Sequence, residues 1–279
     1  MESYLEILPE WLRDPVRSYP DAEEIRLRAG RFPGVVRNGA ELSVGDGKRA
    51  IRQEELSYVL RAAAKGSLYT AEESLKNGFL TIRGGHRIGV CGTTILRNRE
   101  INGMSAVSSL CIRIAAQRKG IGKRMQRSTL IAGPPGCGKT TFLRDCVRIL
   151  SADARLRVGL ADERGELAAC MDGVPQLDVG ERTDVLTGCP KAQAVDLLLR
   201  TMDPQWIAVD EITREEDAQA LIRGAYCGVR LLATAHCESK NDLYERPIYQ
   251  SLLRSGVFYD LILLRPDHSR THERLCADG

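Results

Sequence analysis

The chain has 279 residues, 43 % of them hydrophobic and 28 % charged, and its 40 basic and 37 acidic side chains leave a net charge of +3. That length admits one large domain or two ordinary ones. The composition excludes a disordered, collagenous or disulfide-scaffold chain, and so balanced a charge gives no strong nucleic-acid signal. The longest uncharged stretch, Ile101 to Ile112, falls short of the roughly 20 apolar residues a membrane span needs. The acidic, mixed start (MESYLEILPEWLRD) lacks the basic-then-apolar order of a secretory signal. Nine scattered cysteines without a CxxC pair read as reduced thiols. The expected place is the cytoplasm, with membrane attachment only through partners.

The first 115 residues read as a small α+β domain. Leu56, Val59, Leu60 and Ala63 recur at helical spacing between Gln53 and Gly66. Phe79 to Cys91 reads as a hairpin, FLTI and RIGVC turning at Gly84-Gly85, and Val107 to Ile114 as a further strand. Residues 116–127, within AQRKGIGKRMQRS, are basic and hold two glycines, which suggests a solvated linker. A strand-binding nucleic-acid patch would add stacking aromatics, and this stretch has none.

From Ser128 to Gly279 short apolar runs alternate with amphipathic ones. STLIA (128–132), LRVGLA (156–161), QWIAVD (205–210), VRLLAT (229–234) and FYDLILL (258–264) are strand-like. Thr140 to Leu150, Ala192 to Met202, and the segment carrying Ala218, Leu221, Ile222 and Ala225 are helix-like. Strands alternating with helices predict a parallel sheet with helices on both faces. The fold class expected is α/β, a P-loop (RecA/AAA+-like) domain plus the small α+β domain. The polar tail RPDHSRTHERLCADG is expected to fray, and His86, His268 and His272 to be surface or turn residues.

Gly133 to Thr140 reads GPPGCGKT and fits G-x-x-x-x-G-K-[ST]. Gly133, Gly136 and Gly138 let the backbone curl so that its N–H groups point at phosphate oxygens. The binding segment is Gly133, Pro134, Pro135, Gly136, Cys137, Gly138, Lys139, Thr140 and Thr141. Lys139 is expected on the β- and γ-phosphates of ATP and the Thr140 hydroxyl on Mg²⁺. In WIAVDEI an apolar strand ends in two acids. Asp210 is expected to hold Mg²⁺ and Glu211 to orient or deprotonate the attacking water. ADERGE ends another strand, so Asp162 and Glu163 face the same crevice, to ligate Mg²⁺ or position water, unless they only cap a solvated turn. Thr234 and His236 close LLATAH, where they can touch the γ-phosphate or its water. A further cation is expected from a neighbouring subunit, with Arg182, Arg200 and Arg113 as candidates.

These motifs, in this order, resemble the ATPases of bacterial type II and type IV secretion and pilus machines. Those have a P-loop, an acidic box, a Walker B strand and a histidine box, matched here by Gly133 to Thr140, Asp162 to Arg164, Val209 to Glu211 and Thr234 to His236. The likeness is closer to one branch, the stage III sporulation protein AA family, through TIRGGHRIGVCG (81–92), SSLCIRIA (108–115), RTDVLTGCPKA (182–192) and ATAHC. It implies a mother-cell ATPase that energises a secretion-like channel with membrane-protein partners. A homo-oligomeric ring, a hexamer being the foremost case, is expected. Asp210-Glu211 departs from the Gly-Glu usual in secretion motors, and the four-cysteine zinc motif of some of them is missing. The rival reading is a nucleic-acid-dependent P-loop ATPase or loader, suggested by the basic linker.

Overall fold

A computed structural model describes residues 3–45, 47, 49–64, 78–97, 100–115 and 117–275. The chain divides into two compact units, one of residues 1–116 with 171–176, the other of 117–170 with 177–279.

The smaller unit contains α1 (Ser3–Glu6), α2 (Glu10–Arg17), β1 (Glu24–Arg28), β2 (Gly34–Arg37), β3 (Ala40–Ser43), α3 (Gln53–Ala63), β4 (Phe79–Thr81), β5 (Arg87–Arg97) and β6 (Glu100–Arg113). Its strands form an antiparallel sheet in the order β3-β2-β1-β6-β5-β4. Strand β1 (EIRLR) shows why one face is buried: Ile25 and Leu27 alternate with charged neighbours and join a core with Leu12 and Val16 of α2 and Leu56 and Val59 of α3. The β4–β5 turn uses Gly84 and Gly85 at φ of +86° and +79°, a conformation that favours glycine.

The larger unit holds β7 (Thr129–Gly133), α4 (Lys139–Ser151), β8 (Val158–Asp162), β9 (Thr183–Thr187), α5 (Lys191–Thr201), β10 (Trp206–Val209), α6 (Glu215–Tyr226), β11 (Arg230–His236), α7 (Lys240–Glu245), α8 (Pro247–Ser255), β12 (Asp260–Leu264) and β13 (Arg270–Arg274). The sheet runs β13-β12-β7-β11-β10-β8-β9 and is parallel except for β13. Strands buried on both faces read as continuous apolar runs, as β7 and β10 do. Leu130 and Ala132 of β7 point into a core shared with α5, α6 and α8, while Ile131 points to the opposite face with Phe142, Leu143 and Val147 of α4. Helices therefore cover both faces.

Three expectations change. The tail does not fray as a whole, because β13 pairs antiparallel with β12 and its alternating THER pattern suits an edge strand; residues 276–279 lie outside the described residues. The basic segment is no free linker. Gly122 N–H donates to Asp145 (2.7 Å), and Lys119 and Arg124 pair with Asp178 (2.7 Å) and Asp153 (2.5 Å). His86 is buried at 7 % exposure, where its Nδ1 accepts from the Ala115 N–H (3.0 Å). His272, as expected, is half-exposed, with Nε2 at 3.2 Å from Asp260.

Two tests follow from this packing. A Cβ on Gly122 would meet the backbone of Cys146 and Asp145 at 2.7–2.8 Å, so Gly122→Ala should cost about 1–3 kcal/mol in urea unfolding. Burial pushes the His86 pKa down from 6.5 to about 4. Between those values the unfolded chain binds more protons, so stability is lost as pH falls, at up to roughly 1.4 kcal/mol per pH unit. His86→Gln should flatten that slope in urea-unfolding midpoints measured from pH 7 to 4.

Candidate nucleotide site

The strand order decides the site. β11 lies between β7, which feeds the glycine-rich loop, and β10, which ends at Asp210. In register, His236 stands opposite Gly133 and Ala233 opposite Val209. The polar ends of β11 are thus placed between the loop and the two acids.

Gly133 is required by close approach, since a Cβ there would collide with the Leu264 carbonyl oxygen and lie 2.8 Å from Cys137 Sγ. Gly138 sits at φ +92° and starts α4, so the positive end of that helix opens onto the loop. Lys139 is only 7 % exposed. Its ammonium donates to the carbonyls of Gly133 and Pro134 (2.8 Å each) and lies 2.9 Å from His236 Nδ1. An ammonium has no lone pair, so Nδ1 must accept and the ring proton resides on Nε2. That nitrogen is 3.2 Å from Glu211 Oε1, to which it donates. Burial lowers the Lys139 pKa, with the Cys137, Glu211 and Asp210 charges opposing.

A second chain runs beside the first. Thr140 Oγ1 donates to Asp210 Oδ2 (3.2 Å), and Thr234 Oγ1 donates to Asp210 Oδ1 (2.9 Å) while accepting the Glu211 N–H (2.8 Å). Tyr249 of α8 braces the end of β11, its hydroxyl accepting from the His236 N–H (3.1 Å). Thr140, Asp210, Glu211, Thr234 and His236 are brought together as the sequence suggests, and Tyr249 joins them without a motif to announce it.

Asp162 is a correction. It is 1 % exposed, and its two oxygens accept the N–H groups of Glu166 (2.9 Å), Leu167 (3.1 Å) and Ala168 (2.8 Å). Arg144 of α4 takes the carbonyls of the same loop, Leu167 at 2.6 Å and Glu166 at 2.7 Å. With its lone pairs committed to the backbone, Asp162 folds the loop rather than holding a metal. Glu163, at intermediate exposure, pairs with Lys191 Nζ at 2.6 Å, and that hydrogen bond holds its pKa below the usual carboxylate range. Asp162, Glu163, Lys191, Asp210 and Glu211 line one narrow cleft.

Arg182 and Arg200 of the larger unit lie away from this cluster. Arg182 precedes β9 at the amino ends of the strands, its N–H on Ser151 Oγ (2.6 Å) and its guanidinium on the Ser151 carbonyl (3.2 Å). It takes no part in the site of its own chain. Arg200 ends α5 with Nε 3.3 Å from the Asp196 carbonyl, and Arg113, in the smaller unit, pairs with Glu24 at 3.2 Å. Lys191 and Arg144 escaped sequence reading. Their signals were a lysine just after the proline that starts a helix, and an arginine within an otherwise apolar helix face. His268, expected as a surface or turn residue, is exposed in the β12–β13 turn with Nδ1 3.4 Å from the Cys137 carbonyl oxygen.

Residues 6–273 match the family described as Sporulation stage III, protein AA. The chain belongs to that family. It is 38 % identical over 275 residues to Stage III sporulation protein AA of Bacillus subtilis, covering 92 % of this chain and 89 % of the relative. Among solved structures it is similar to the pilus retraction motor PilT with bound ADP (TM-score 0.62, 16 % identity, 91 % of this chain and 76 % of that one). It is likewise similar to the ATPase DotB of Legionella pneumophila (TM-score 0.60, 16 % identity, 96 % and 80 %). This member of the sporulation family therefore has the fold of secretion and pilus ATPases, and no helix among its described residues is long and apolar enough to cross a membrane.

Removing the Asp162 carboxylate leaves the buried N–H donors of Leu167 and Ala168, and the half-buried one of Glu166, without an acceptor. Asp162→Ala should cost about 2–4 kcal/mol of unfolding free energy, and hydrogen exchange at Leu167 and Ala168 should rise with it.

Proposed function

We propose that this chain is a Mg²⁺-dependent ATPase that works as a ring, a hexamer being the foremost case, and drives a secretion-like membrane channel during sporulation. The observation that carries the reading is the convergence of Lys139, His236 and Glu211 at 2.9 and 3.2 Å beside the Thr140–Asp210 pair. The glycine-rich loop offers its N–H groups to the triphosphate. Lys139 exchanges its carbonyl and imidazole acceptors for phosphate oxygens, which are anionic and make stronger hydrogen bonds.

The donor set suits Mg²⁺, which is held by one or two protein oxygens and otherwise by phosphate and water. Thr140 and Asp210 would hold it, and it would neutralise charge on the phosphates. Glu211 takes the proton of the attacking water. His236, released from Lys139, keeps Nε2–H available to orient that carboxylate. Glu163 is proposed as a second carboxylate on the water. A further cation supplied in trans is in keeping with phosphoryl-transfer chemistry, and Arg182, Arg200 and Arg113 stand as candidates for it.

The site of action proposed is the mother-cell cytoplasm, with attachment through membrane-protein partners. The nucleic-acid alternative has less support, because Asp145, Asp153 and Asp178 each engage the basic segment.

Phosphate release with ATP and Mg²⁺ tests the reading. Lys139→Ala should bring it to background, and Glu211→Gln should retain nucleotide binding while slowing turnover by about 10²-fold or more. Sizing with ATP·Mg²⁺ should reveal a ring, and single-stranded DNA should leave the rate unchanged. Stimulation by DNA with steep salt dependence would favour the rival.

A further inference from the structure

Four carboxylates of the narrow cleft have partners that account for them, and Glu163 is the one of the four hydrogen-bonded to a buried cation. Asp162 is satisfied by backbone N–H groups, Asp210 by Thr140 and Thr234, and Glu211 by His236. Glu163 is held by Lys191, whose Nζ approaches Oε2 to 2.6 Å at 6 % side-chain exposure. The Lys191 backbone N–H, in the first turn of α5, also donates to Glu163. The carboxylate is therefore gripped twice by one residue. The ammonium has three donors, and among the described residues Glu163 is its one protein acceptor.

Carboxylates that share a cleft disfavour one another's charge, and a carboxylate on a flexible stem swings away from such neighbours. A buried lysine is a costly way to hold a surface loop. It is an effective way to keep one acid charged and aimed beside two others.

We propose that Lys191 is a positioning residue for ATP hydrolysis, gripping Glu163 so that its free oxygen accepts a hydrogen bond from the water that attacks the γ-phosphate. The inference rests on the ATPase reading above and adds a residue to it. Lys191 itself takes no proton and forms no bond. It acts through Glu163 alone.

Steady-state hydrolysis with a fluorescent ATP analogue as binding probe tests this. Lys191→Met should lower kcat about 10–100-fold, the range typical of partners that orient a reacting group, with KM changed less than about threefold, and Lys191→Arg should restore most of the rate. The acid limb of the kcat–pH profile should move to higher pH in Lys191→Met, since Glu163 loses the cation that favours its charged form. Glu163→Gln should be comparably slow, and the double variant Lys191→Met/Glu163→Gln no slower than the slower single variant.

A near-wild-type kcat, an unmoved acid limb, or multiplying effects in the double variant would overturn the proposal. Should Lys191→Met fail to fold, Lys191→Gln, which keeps a donor without the charge, is read the same way. A wild-type protein without Mg²⁺-dependent turnover would bring down the ATPase reading instead.

Discussion

An ammonium can only donate, and that of Lys139 is almost wholly buried where the glycine-rich loop meets α4. It needs acceptors, and the fold supplies two loop carbonyls and one imidazole nitrogen. That single demand sets the His236 tautomer, and the tautomer sets the donor facing Glu211. Loop, β11 and the tip of β10 are joined by a directional run of hydrogen bonds whose order cannot be reversed. On the ATPase reading proposed above, a triphosphate would compete for its first member, and events at the loop would be relayed to the acid at the far end.

The relay exists because β11 is inserted between β7 and β10. Were those two strands neighbours, Thr140 and Asp210 could meet without Thr234, and no ring nitrogen would lie between lysine and glutamate. Parallel pairing then puts every functional side chain at one edge of the sheet, since all the strands except β13 point the same way. The opposite edge holds Arg182, which explains why an arginine close in sequence to other family landmarks is far from the chemistry of its own chain.

Much of this was legible in the residues. Continuous apolar runs such as STLIA and WIAV are the mark of strands buried on both faces, and GPPGCGKT and VDE locate themselves at strand ends. β9 and β13 were not legible, because they are edge strands: TDVLT offers only Val185 and Leu186, both partly buried, and RTHER no apolar residue at all. Asp162 was misread for a different reason. Sequence shows that an acid ends a strand but not whether its lone pairs face a metal or fold back onto the next turn of backbone. Lys191 lies 28 residues from Glu163, so their pairing is a matter of topology alone. The cationic linker looked solvated because its acidic partners lie in α4 and in the turns after β8 and α4.

The segment 171–176 belongs to the smaller unit although the chain on either side of it belongs to the larger one. Gln176 accepts the Gly84 N–H at 3.0 Å there, beside the glycine turn. The polypeptide thus passes between the units three times rather than once. Severing the peptide link near residue 116 would free residues 1–116 as a separate chain, while the 171–176 piece of the same unit stayed covalently with residues 117–279. The small unit is therefore no detachable N-terminal module, and shuffling it onto another motor by a simple fusion would omit a piece of its own body.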